Sequence, residues 1–125
     1  MNIKSIKYAE PLSKIKDIEN DNIDIFVEDD EGMVYTFVVT TPKNYCWFMD
    51  KEGIDYIPAS SPNIIVRSLT EENIHKALET YLEDDGYWFK LYYLSWKRKG
   101  VFDIKAMNKM IGEIRKENDE IFNSD

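Results

Sequence analysis

Cysteine is nearly absent from this chain of 125 residues, and histidine with it. The single Cys46 excludes an intramolecular disulfide, and with one histidine, His75, the chain falls short of the usual cluster of Cys and His ligands for zinc. A reducing compartment fits such a composition. No glycine-rich phosphate loop, Walker motif, dinucleotide fingerprint or nucleophile elbow is present, so no cofactor is expected. No window is apolar enough to approach a membrane span. Met1-Asn2-Ile3-Lys4-Ser5-Ile6-Lys7 lacks the apolar stretch and small-residue cleavage site of a signal peptide, so a cytoplasmic chain is expected. Lys97-Arg98-Lys99 is the only basic run, which argues against nucleic acid as a partner.

What the chain does have is apolar bulk and acid. Hydrophobic residues make up 43% of it and aromatics 14%, enough side chain to offset the entropy of ordering one core. Its length suits a single domain over residues 1–125. The net charge of −8 is concentrated: residues 17 to 31 hold eight of the 24 acids and none of the 16 bases, which leaves the remainder neutral in sum. Screening confines such a region to partners that come within about 8 Å, where it repels phosphate and attracts a basic protein surface.

The pattern along the chain is of strands first and helices later. Ile23, Ile25 and Val27 alternate with Asn22, Asp24 and Phe26, the period of a strand with one buried face. Met33 to Thr41 is rich in Val, Tyr, Phe and Thr, and the intervening Glu28-Asp29-Asp30-Glu31-Gly32 predicts a hairpin whose tip carries Asp29, Asp30 and Glu31 into solvent. Thr41-Pro42 interrupts the strand. A further strand is predicted over Lys43 to Met49, a turn at Asp50-Lys51-Glu52-Gly53 and a short return over Ile54 to Ile57, completing an antiparallel meander. Pro58-Ala59-Ser60-Ser61-Pro62 reads as a loop, and Asn63 to Leu69 as one more strand.

Thr70 then caps a helix, with Glu71 and Glu72 at its positive end and Leu69 with Ile74 as a hydrophobic staple. Ile74, Ala77, Leu78, Tyr81 and Leu82 share one face of it. Asp84-Asp85-Gly86 ends or bends the path. Tyr87 to Trp96 fits a helix through Trp88, Leu91, Tyr92 and Trp96, and is expected to be mostly buried. Lys97-Arg98-Lys99-Gly100 gives a cationic helix end and a glycine stop. A last helix starts near Asp103 and carries Met107, Met110, Ile111 and Ile114 on one side, while Asn118 to Asp125 has little apolar content to order it. The fold class expected is α+β, an antiparallel sheet from the first half packed against helices of the second.

Candidate chemistry is sparse. His75 has no placed partner, and Cys46, beside Trp47 in a predicted strand, reads as a buried small hydrophobe. Glu28-Asp29-Asp30-Glu31 and Glu83-Asp84-Asp85 lack the alternating ligand spacing of a calcium loop, so no metal is expected. Eight tyrosines and three tryptophans exceed what a small core buries with every polar tip satisfied, so some reach the surface as interface anchors.

In its acidic Asp29-Asp30-Glu31 loop, its Leu69-Thr70-Glu71-Glu72 helix start and its Asp84-Asp85-Gly86-Tyr87-Trp88 passage, the chain resembles the small acidic immunity proteins of bacterial polymorphic-toxin and contact-dependent growth inhibition systems. That resemblance implies a non-enzymatic protein that binds and neutralises a basic toxin, often a nuclease, in the cytosol. Glu28, Asp29, Asp30, Glu31, Asp84, Asp85 and Trp47 are the partner-binding residues expected. Two other classes share these features: a small enzyme or ligand-binding domain with a pocket assembled from distant residues, and an acidic mimic of nucleic acid.

Overall fold

The alternation seen in Asn22–Asp29 is the spine of the structure, a computed structural model that describes residues 1–97 and 103–123. This strand, β2, turns Ile23, Ile25 and Val27 inward, at 4%, 0% and 0% exposure. It lies between β1 (Ile3–Tyr8) and β3 (Val34–Thr40), antiparallel to both. Register places Ile23 opposite Val39, Ile25 opposite Phe37 and Val27 opposite Tyr35, so one face of the pair is continuously apolar. Strand β1 continues that face with Ile6 and Tyr8.

The chain described here forms two compact units, residues Met1–Tyr93 and Leu94–Asp125. Within the first, α2 (Glu71–Tyr81) covers the apolar sheet face with Ile74 and Leu78, and α3 (Glu83–Lys97) contributes Phe89, which is fully buried. The rings of Tyr35 and Phe37 stand 4.8 and 4.6 Å from that of Phe89. The architecture is α+β, with sheet residues and helix residues sharing one core.

Three sequence expectations fail between residues 42 and 69. Lys43 to Met49 is not a strand but part of the helix α1, Pro42–Glu52. Proline occupies its first turn, where the missing N–H costs nothing, Thr41 Oγ1 accepts the N–H of Asn44, and Gly53 closes the helix in a left-handed conformation at φ 67°. Ile54 to Ile57 forms no strand either. Of Asn63 to Leu69 only Ile64–Ile65 pairs, as β4, and it runs parallel to β3. The meander therefore stops at three strands, and the fourth makes the sheet mixed.

Helix α2 begins where the sequence places it. Thr70 Oγ1 accepts the N–H of Asn73 at 3.1 Å, and both staple residues, Leu69 and Ile74, are buried. The path bends at Asp84, Asp85 and Gly86, all three left-handed, with φ of 53°, 56° and 73°. Tyr87 to Trp96 is helical but not mostly buried: Tyr87, Trp88 and Trp96 are each more than half exposed, and Phe89 is the residue that enters the core. Of the expected stripe, Trp88 and Trp96 thus face solvent, while Leu91 and Tyr92 are half-buried and Tyr92 packs against the core. In the second unit α4 (Ile104–Asn123) is capped by Asp103, whose carboxylate accepts the N–H of Ala106 at 2.8 Å. Its Met110, Ile111 and Ile114 are about half exposed, and the helix runs on through Asn118 to Asn123. Residues 98–100 of the expected cationic helix end lie outside the described residues.

Candidate functional site

The hairpin tip is built around one carboxylate. Asp29 Oδ1 accepts the backbone N–H groups of Glu31 and Met33, each at 2.9 Å, and Oδ2 accepts the Tyr35 hydroxyl at 3.4 Å. A short acidic side chain satisfies the turn's own donors in this way, while Gly32 supplies the left-handed corner at φ 86°. Asp29 is consequently 6% exposed, contrary to the expectation that it projects into solvent. Burial, followed by the Asp29 charge, raises the Tyr35 phenol above its ordinary pKa, which keeps it a donor to that carboxylate. Asp30 and Glu31 are the acids the tip exposes.

The second acidic run arrives at the same place. A cleft of about 260 Å³ is lined by Asp29, Asp30 and Glu31 together with Asn2, Asp85 and Lys90, and Met1 and Tyr35 complete it. Asn2 enters because β1 pairs with β2: its carbonyl accepts the Asp30 N–H at 3.1 Å and its amide donates to Asp30 Oδ2 at 3.4 Å. Asp85 enters because the left-handed bend turns it back toward the hairpin. There it meets Lys90 Nζ at 3.1 Å and the Met1 ammonium at 3.2 Å, and these two cations hold its carboxyl below the usual carboxylate range. Of the four carboxylates that line the cleft, Asp29 is committed to the turn and Asp85 to Lys90 and the Met1 ammonium, which leaves Asp30 and Glu31 to accept hydrogen bonds from an incoming ammonium or guanidinium group.

The other expected binding residues lie elsewhere. Glu28 is on β2 and pairs with Lys4 at 3.6 Å. Asp84 is exposed at the bend but does not line the cleft. Trp47 is on α1, beyond the far end of β3 from the hairpin tip, with Lys51 Nζ 5.1 Å from its ring centre. Cys46, expected to be buried, is exposed on the same helix. His75 is exposed on α2 and lines a cavity of about 290 Å³ with β1, of which Cys46 is not a wall. Sequence reasoning missed Asn2, Tyr35 and Lys90, and the only signal that could have placed Asn2 was the Ile3, Ile6 and Tyr8 side of β1.

A larger cavity, about 450 Å³, lies where α1 meets the sheet, with Val38, Tyr45, Phe48 and Ile57 as apolar walls. Its amides serve the fold: Asn44 donates to Asn20 at 3.2 Å and accepts from Asn22 at 3.0 Å and from Thr40 at 3.4 Å. That network ties the first turn of α1 to the start of β2.

Among the described residues no three His, Cys, Asp or Glu side chains converge as a metal ion would require, and no helix is long and apolar enough to cross a membrane. The chain matches no protein-family model, no curated protein and no solved structure.

Proposed function

We propose that this chain is a non-enzymatic binding protein that engages a basic protein through the Asp30–Glu31–Asp85 cleft, and that it neutralises a toxin as immunity proteins do. The observation that supports the reading most is convergence: Asp85, more than fifty residues from the hairpin in sequence, lines one cleft with Asp29, Asp30 and Glu31. Asp30 and Glu31 are exposed at its rim, and Tyr87 is exposed one turn from Lys90 on the helix that supplies it. Acids at a rim act chiefly on encounter rate and partner choice, while aromatic residues supply contact energy. A toxin-sized basic surface would meet the hairpin tip first, because that tip holds acids with backbone fixed by Asp29.

The test is association with the product of the reading frame adjacent to this gene, measured for the wild type and for Asp30→Lys with Glu31→Lys. Steering predicts that the double variant associates about 10-fold more slowly at low salt, and that the gap narrows as salt rises. Equal rates with an intact fold would remove the cleft from recognition.

A further inference from the structure

The bend between α2 and α3 builds a second feature, on different residues. Tyr81 is the last residue of α2, and Trp88 and Tyr92 lie one turn apart on α3. These three rings, with Thr80 and Glu83, line an open cavity of about 360 Å³. Tyr81 and Tyr92 have ring centres 5.1 Å apart at 73°, and Trp88 and Tyr92 6.4 Å apart at 85°. Tyr87 braces Trp88 from 5.3 Å at 84°. These are edge-to-face contacts that fix the rings around the cavity they line.

Two observations say what the box is suited to hold. Trp47 and Trp96 each carry a lysine of their own helix over the ring, Lys51 at 5.1 Å and Lys97 at 4.5 Å; among the described residues no cation does so for Trp88. Glu83 is exposed at the wall of the cavity and, among the described residues, makes no ion pair. Ring quadrupoles and a carboxylate both favour positive charge, and the apolar ring surface favours a cation that carries alkyl groups.

We propose that Tyr81, Trp88 and Tyr92, with Glu83, form an aromatic cage for an alkylammonium group, carried on a lysine side chain of a partner or on a free small ligand. The cage is independent of the acidic cleft: residues 88 and 92 each lie two positions from Lys90, which puts them on the opposite side of α3. Burial, and then Tyr92, raise the Tyr81 phenol well above its ordinary pKa.

Titration of tetramethylammonium chloride into the full chain, followed by the indole N–H resonances, tests this, with sodium chloride as the salt control and tert-butanol as a neutral probe of similar shape. The Trp88 resonance, assigned with Trp88→Phe, should move with tetramethylammonium and not with either control, while those of Trp47 and Trp96 stay in place. Trp88→Leu should weaken binding about tenfold, and Glu83→Gln, which preserves the packing should Trp88→Leu misfold, about threefold. Peptides bearing one lysine or one trimethyllysine distinguish the sources: tighter binding than tetramethylammonium itself assigns the ammonium to a protein side chain, and binding no tighter assigns it to a free ligand. An unmoved Trp88 resonance, or an equal response to tert-butanol, would overturn the cage.

Discussion

Asp29 and Asp30 are adjacent acids that the hairpin uses in opposite ways. The Asp29 carboxylate closes the turn on the N–H groups of Glu31 and Met33, whereas Asp30 reaches outward to Asn2. Removing a buried acceptor strands its donors, so Asp29→Ala should cost about 1–3 kcal/mol in urea unfolding, and Asp29→Asn less, because an amide oxygen still accepts. Asp30→Lys should stay within about 0.5 kcal/mol of wild type. A comparable loss in both variants would mean that the turn does not depend on the Asp29 bonds. In the sequence all four acids of Glu28–Glu31 look alike, since composition records charge and not direction. What separates them is the pleat: alternation from Val27 sends Glu28 outward and Asp29 inward, a consequence readable only once the strand is known to continue that far.

At the scale of elements, the segments that declared themselves combined a period with a terminus. β2 alternates cleanly, and α2 has a cap, acids in its first turn, a staple and a 3.6-residue face. α1 carries equally good termini in Thr41-Pro42 and Gly53, but Tyr45, Trp47 and Met49 mimic a strand, and their β propensity masks the caps. Its helical period was there to see: Asn44, Tyr45, Phe48 and Met49 are the half-buried positions. The bend at Asp84–Gly86 was legible as a break but not as three successive left-handed residues, because two aspartates there adopt a conformation that usually falls to glycine. Gly53 and Gly86 separate strain from space. A Cβ at Gly53 meets nothing within 4 Å, whereas at Gly86 it falls 2.7 Å from Met1 Sδ. Gly53→Ala should therefore cost about 1 kcal/mol from its positive φ alone, and Gly86→Ala about 2 kcal/mol or more, read as the difference between their urea midpoints. Equal costs would mean that Met1 moves aside freely.

Across the first unit, the total charge was legible and its layout was not. The acids of residues 17 to 31 extend from the loop before β2 to the hairpin tip after it, and some are already engaged, Glu19 by Lys43 at 3.0 Å and Glu28 by Lys4. Tertiary contacts, which set partners far apart in sequence beside one another, decide which acids remain available. The aromatic surplus was likewise legible as a number, but the residue that enters the core is Phe89 and not either neighbouring tryptophan. Phe89→Ala should cost about 3–5 kcal/mol in equilibrium unfolding, while Trp88→Ala, at a position more than half exposed, should cost far less. The reverse order would show that the helix docks through its other side.

Phe89 also sets a clock. The three antiparallel strands are consecutive in the chain and can pair as soon as they emerge from the ribosome, yet the aromatic centre they present, Tyr35 and Phe37, is met by Phe89 and Tyr93, synthesised some fifty positions later. At roughly 5–20 residues per second, that leaves a nascent sheet with an open apolar face for several seconds. During that interval a chaperone has its clearest opportunity to bind, and a ribosome stalled before Phe89 would display a paired sheet without its lid.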